Sequence, residues 1–398
     1  MKRNSELPRN VKLLSWVSLF TDAASDMLYP ILPILWQQRG ISFAAIGMIE
    51  GIASFVTGVS KGYWGALSDS LRRYKPLVWI GYSLSALAKP LLFIGSSFVW
   101  PLVLRNVERL GKAIRTAPRD AILAAETKPE TQARVFSYHR SMDTLGSVIG
   151  PLLCLLVLWL TNGSLSAVFI ASIVPGLAAM YLASRIREPK KLTSAKLRVA
   201  KPKTGGIDKE LVTRVWRLPA FRHMLLILGL FSLINSSDAF LLLRLNELGL
   251  SLQKVVAVYC VYNLINAVVT RNSRWLLDRF GVRITMLFCM TVFCCVYSLL
   301  SLDFSSWVAV GAVMLYGLFD GTFEVTVKTW LVRIVPTEVY ATATGLYGMF
   351  AVTGFMISSI GTGLLLSHIG NTTYLLIGVL TVVPITLLAW GNNSDFAS

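Results

Sequence analysis

The sequence predicts an all-α polytopic membrane protein of twelve transmembrane helices in two six-helix bundles. Three observations lead there. The 398 residues are 54% hydrophobic and 15% charged, whereas a soluble domain carries about 25% charged residues. Apolar runs of about 20 residues, enough to cross ~30 Å of hydrocarbon, recur along the chain. A single long basic segment interrupts them near the middle. No run alternates as a β-barrel strand would.

In chain order the predicted spans are 13–36, 43–69, 76–95, 99–121, 135–160, 165–184, 222–246, 252–277, 284–302, 306–332, 341–366 and 372–391. Residues 185–221 form the interruption, with Pro189, Pro202, Gly205-Gly206 and many lysines. This reads as a basic linker with a short amphipathic helix around 208–218. The expected domains are therefore a first bundle over 1–184, a linker over 185–221 and a second bundle over 222–398.

The net charge of +17 suggests nucleic acid until it is located. From Arg185 to Arg222 there are 12 Lys+Arg against 3 Asp+Glu. The basic tail, Arg72-Arg73-Tyr74-Lys75, Lys128, Arg279, Arg283 and Arg333 fall on the same side of the predicted membrane. The other loops hold only Arg39 and Lys254. That asymmetry is the positive-inside pattern, so both termini are expected in the cytoplasm and nucleic acid is not an expected partner. The five cysteines lie in apolar runs without a C-x-x-C pair, and the three histidines have no metal-ligand spacing. No metal, cofactor or catalytic set is expected, and the chain reads as a non-enzyme. His139 and Asp143 form an i,i+4 pair, which reads as a helix-surface or gate contact rather than a catalytic one.

Two loops echo each other. Gly65-Ala66-Leu67-Ser68-Asp69-Ser70-Leu71-Arg72-Arg73-Tyr74-Lys75 follows the second span, and Arg274-Trp275-Leu276-Leu277-Asp278-Arg279-Phe280-Gly281-Val282-Arg283 follows the eighth. Each places an Asp at the end of a span and then a tight basic turn. These residues resemble the G-x-x-x-D-R-x-G-R-R loop of the major facilitator superfamily. In the first copy Ser70 replaces the Arg and Arg72 the Gly; in the second Arg274 replaces the leading Gly. The resemblance implies gating roles for Asp69, Arg73, Asp278 and Arg279. A carboxylate at a helix end can cap a neighbouring helix N-terminus, and arginines can brace helix ends. Gly146-Ser147-Val148-Ile149-Gly150-Pro151 matches the front of an antiporter signature of the same family, but Cys154-Leu155 stand where its closing glycines belong. Close packing explains those glycines equally well. The strings Gly111 to Asp120 and Asn235 to Phe240 resemble a bacterial inner-membrane subgroup that includes permeases for carboxylate siderophores of the rhizoferrin or legiobactin kind.

Ionisable residues inside a bilayer are costly and are functional candidates. Arg105, Glu108, Arg109, Lys112, Arg115 and Arg119 fall within about 120° of one helical face of the fourth span. Glu108 can pair with Lys112 at i,i+4. Arg105, Arg109 and Lys112 are assigned to substrate, and Arg115 and Arg119 to the interface or gate. Lys89 points either to the centre or to the interface. Asp22 and Asp26, one turn apart in the first span, suit proton binding or structural ion pairs. Asn235, Asp238 and Asn263 are further substrate candidates, and Asp320 and Glu324 further proton-coupling candidates, with Glu324 able to pair with Lys328. In the family, spans one, four, seven and ten line the central cavity.

The expected function is secondary active transport of a small anionic or carboxylate-rich solute, with a ferric siderophore as the specific case. Transport would be a proton symport by alternating access in a bacterial inner membrane, with the protein a monomer. The rival readings are proton-coupled efflux of drugs or metabolites and, from another class, a membrane-embedded enzyme.

Overall fold

Prolines, glycines and polar runs decide where the predicted spans break. A computed structural model describes residues 7–95, 97–127, 129–189, 209–303, 305–391 and 396. Most of the linker, with Pro202 and Gly205-Gly206, lies outside the described residues, as do Lys128 and the first basic residues. The helices are α1 (Arg9–Leu28), α2 (Leu32–Gln38), α3 (Phe43–Leu71), α4 (Lys75–Leu91), α5 (Val99–Ala125), α6 (Pro129–Leu160) and α7 (Leu165–Ser184). They continue as α8 (Lys209–Trp216), α9 (Pro219–Ser232), α10 (Ala239–Glu247), α11 (Leu252–Leu300), α12 (Ser306–Ile334), α13 (Tyr340–Ile369) and α14 (Thr372–Trp390). The described residues contain no strand.

Among the described residues, seven helical segments are long and apolar enough to cross a membrane. The other predicted runs are helical too, and each falls short for a physical reason. The first is split at Tyr29–Ile31, where Pro30 has no N–H to give and Pro33 fits the first turn of α2. α4 has only 17 residues, and α5 carries the basic stripe. The seventh run, predicted as continuous over 222–246, is instead broken between Ser232 and Ala239. Asn235-Ser236-Ser237-Asp238 explains the break, because these short polar side chains compete for backbone partners. Ser237 N–H donates to Ser359 Oγ at 3.2 Å and Ala239 N–H to Ser237 Oγ at 3.3 Å. Non-helical backbone at membrane depth persists only where protein satisfies it in this way. Runs eight and nine are two helices, labelled together as α11, that meet at a kink where Gly281 takes φ 74° and ψ 172°.

The chain divides into two compact units: unit 1 holds 1–32 and 56–202, and unit 2 holds 33–55 and 203–398. In unit 1, α1 packs on α6 and α7, and α4 on α5 and α7. In unit 2, α11 packs on α12 and α14, and α9 on α13. A buried apolar cluster around Val11, Leu14, Val78, Tyr82 and Ile122 fixes α1, α4 and α5 together.

Candidate functional site

The basic stripe of α5 divides by burial. Arg105 is 3% exposed and forms an ion pair with Glu108 at 2.6 Å. Its guanidinium lies 5.4 Å from the Tyr29 ring centroid. The Glu108–Lys112 pairing open at i,i+4 is thus replaced by Arg105–Glu108. Side chains on a helix lean toward its N-terminus, which carries Glu108 back onto Arg105. Arg115, expected at an interface, is buried: it donates to Ser85 Oγ at 2.7 Å and stands 4.4 Å over Tyr82. Arg119 pairs with its neighbour Asp120 at 2.9 Å. Arg109 is partly buried, and Lys112 is exposed, within the field of Asp22.

Lys89 resolves its alternatives toward the interior. It is 2% exposed and donates to the Thr21 carbonyl at 3.2 Å. It sits in the combined field of Glu108, Asp22 and Asp26. No site role was expected of Lys89, although a lysine directly before a proline in an apolar span was the available signal.

A ladder of polar side chains runs along the seam between α1 and α6. Ser15 Oγ lies 3.4 Å from His139 Nδ1, and His139 Nε2 lies 3.8 Å from Asp143 Oδ1. Ser18 donates to Asp143, Asp143 faces Asp22, and Ser147 hydrogen-bonds Asp26. The seam is tight. A Cβ at Gly146 would stand 2.5 Å from the Leu19 carbonyl oxygen, and one at Gly150 2.6 Å from that of Ala23. Helix contact therefore accounts for both glycines of the partial antiporter motif, and it seats the ladder's two rails side by side.

Unit 2 has a different centre. Asp320 of α12 accepts hydrogen bonds from Tyr262 Oη at 2.8 Å and from the Asn266 amide, both on α11. Thr270 Oγ1 extends the chain to Asn266 Oδ1 at 3.3 Å. Tyr262 is stacked between Tyr259 and Tyr316, with centroids at 5.6 and 6.0 Å. Asp238, at the start of α10, lines a small cavity with Tyr259, Tyr262 and Tyr316. Asn263 turns its amide to the Tyr259 carbonyl of its own helix at 3.2 Å. Asn235 Oδ1 is buried without a hydrogen-bond partner among the described residues. Glu324 pairs with Lys328 at 2.5 Å, and both are well exposed. The tyrosines were missed as site residues; the spacing of Tyr259, Tyr262 and Asn266 on one helical face could have found them.

The repeated loops differ in their latches. Asp69 accepts from Tyr74 Oη at 3.0 Å. Burial, then this hydrogen bond, push the Tyr74 phenol up to about 12, so it stays a donor at neutral pH. The carboxylate that caps α4 is Glu188, which accepts from the N–H groups of Tyr74 and Lys75 at 2.9 and 3.0 Å. Arg73 is exposed. In the second loop Asp278 pairs with Arg274 at 3.3 Å, and Arg279 stands over Trp275 and Phe280. Arg283 donates to the carbonyls of Leu388 and Ala389, bracing the end of α14.

The sequence model of the Major Facilitator Superfamily matches residues 14–277 and 272–394. The chain belongs to the Major Facilitator Superfamily. An uncharacterised MFS-type transporter of Methanocaldococcus jannaschii is 29% identical over 97% of this chain and 96% of its own length. A point mutant of the nucleoside transporter NupG superposes with a TM-score of 0.79 at 12% identity, over 96% of this chain and 99% of that one. A D-xylose–proton symporter superposes with a TM-score of 0.70 at 14% identity, over 98% and 97%. These likenesses agree with the all-helical, multi-pass fold expected from the sequence. The chain is an MFS-type transporter.

Proposed function

We propose that this transporter moves a small anionic or carboxylate-rich solute together with protons, by alternating access, across a bacterial inner membrane with both termini in the cytoplasm. One observation carries the reading: Lys112, an exposed residue of the α5 stripe beside Arg109, lies in the field of the Asp22 carboxylate of α1. An ionised Asp22 and an anionic solute compete for that cation. A proton on the carboxylate removes the competitor, so solute and proton bind together, which is the thermodynamic requirement for symport. Arg109 assists Lys112. Arg105, held by Glu108, shapes the site rather than binding solute. The α1–α6 ladder, from Asp26 through Asp22 and Asp143 to His139, supplies a route for the proton. The class includes ferric carboxylate chelates, which are the first solutes to assay.

Reconstitution in proteoliposomes tests this. Asp22→Asn and Asp26→Asn should abolish accumulation driven by a pH gradient while leaving solute counterflow intact. Lys112→Gln should raise KM about tenfold, the loss of one charge-assisted contact of about 1.4 kcal/mol. If both aspartate variants accumulate solute like wild type, the coupling assignment fails.

A second reading has its own support. The carboxylate Asp320 beside Tyr262, Tyr259 and Tyr316 is an arrangement that suits a lipophilic cation, and therefore efflux. A counterflow panel separates the two: trans-stimulation by lipophilic cations alone selects this second reading and removes the first.

A further inference from the structure

One sizeable cavity lies away from the polar centres. It is a groove of about 530 Å³ between α9 and α13, closed at one end by α8. Leu225, Leu226, Gly229, Phe350 and Ile357 make its walls almost wholly apolar. At one end α9 and α13 touch: a Cβ on Gly354 would meet Ser232 Oγ at 2.0 Å. At the other end the Trp216 ring of α8 meets Phe350 edge-on, with centroids 6.3 Å apart. Between these contacts the helices splay.

The chemistry at the α8 end is cationic. Arg222 lines the groove and is exposed, and Arg217 is exposed in the turn between α8 and α9. Neither side chain makes an ion pair with a described residue; Arg214, by contrast, is held by Glu210 at 2.5 Å. α8 itself is amphipathic, with Val215 fully buried and Arg214 and Trp216 exposed. Such a helix belongs at the boundary of headgroups and acyl chains, where tryptophan also concentrates.

We propose that this groove is a binding site for one anionic glycerophospholipid. An acyl chain lies between α9 and α13, and the headgroup phosphate meets Arg217 and Arg222. Water gains nothing from an apolar groove that offers it few partners, and a zwitterionic headgroup leaves the arginine charge only partly compensated. A lipid here touches α9, directly below the broken segment 233–238, so its presence would steady the end of that break. The site is independent of the solute and of proton coupling.

The test is native mass spectrometry of the full chain in detergent, titrated with phosphatidylglycerol or phosphatidylcholine of identical acyl composition. Wild type should retain one phosphatidylglycerol with a preference on the order of tenfold. The double variant Arg217→Gln, Arg222→Gln should lose that preference yet still bind either lipid weakly. Gly229→Phe should reduce retention of both lipids; Gly229 lines the groove and a Cβ there meets open space, so the variant places its side chain in the groove. Circular dichroism confirms that each variant is folded. Equal retention of the two lipids by wild type overturns the proposal, as does a preference that survives both variants. Displacement of bound phosphatidylglycerol by a lipophilic cation, with no change in the double variant, would reassign the groove to a lipophilic solute.

Discussion

In unit 1 the deep polar side chains are ions: Lys89, Arg105, Glu108 and Arg115 are all buried, and each is met by an opposite charge, a carbonyl, a hydroxyl or an aromatic face. In unit 2 phenols, an amide and a threonine gather around the carboxylate of Asp320, with Asp238 beside the same tyrosines. The difference is one of fragility. An ion pair in low dielectric is only as stable as its weaker partner, because removing one charge leaves the other buried and uncompensated. A carboxylate held by several neutral donors loses one hydrogen bond at a time. The buried pair of unit 1 is therefore the more sensitive of the two to the loss of a single charge.

The largest effect expected from this contrast is at Glu108. Glu108→Gln strands Arg105 and should cost about 3–5 kcal/mol, the range for breaking a buried pair from one side. The exposed pair in unit 2 is the control: Glu324→Gln should change stability by less than about 1 kcal/mol. Thermal unfolding in detergent reads both. Similar shifts for the two variants would break the contrast. Tyr262→Phe comes next. It removes one donor to Asp320 and should cost about 1 kcal/mol, since Asn266 still holds the carboxylate.

The fold was legible because bilayer insertion acts on composition: run length, the placement of Arg and Lys, and the repeated Asp-plus-turn loops are all local. The break in the seventh span was not foreseen, although its polar residues were singled out. It depends on Ser359, more than a hundred residues away, to accept from Ser237. The stripe on α5 was read correctly as one face, but periodicity cannot say which neighbour claims which charge. Glu108 took Arg105, and α4 supplied Tyr82 and Ser85 to Arg115. The capping carboxylate was sought in the loop itself, whereas Glu188 comes from beyond α7. Pairings of this kind are tertiary facts that one sequence does not carry.

A smaller effect concerns the far end of unit 2. Arg244 donates to Asp303 at 2.6 Å and to the Leu300 carbonyl at 3.0 Å, tying α10 to the end of α11. The hydrogen bond from Arg244 holds the exposed Asp303 carboxyl below its ordinary value. A depressed carboxylate contributes stability that is present above its unfolded value, near 3.8, and is lost as pH falls through the folded one. Asp303→Asn should therefore lower the unfolding temperature slightly at pH 6 and make no difference near pH 2. A gap between the two proteins that stays constant over that range would show that Asp303 acts without its charge.

The smallest effect tests whether the two loops are copies of one turn. Arg72 and Gly281 stand at matching distances after Asp69 and Asp278, and both take positive φ, 50° and 74°. A glycine adopts such a conformation freely, whereas an L-residue there costs about 1–2 kcal/mol. Arg72→Gly relieves that cost and adds the backbone entropy of glycine, about 0.5–1 kcal/mol in the unfolded chain. The net expectation is a gain of about 0.5 kcal/mol, read as a small rise in unfolding temperature. A gain would mean that the first loop keeps the geometry of the second and tolerates arginine at a steric penalty. A loss would mean that the Arg72 side chain contributes more to the turn than its backbone strain takes away, and the loops would then differ in chemistry as well as in sequence.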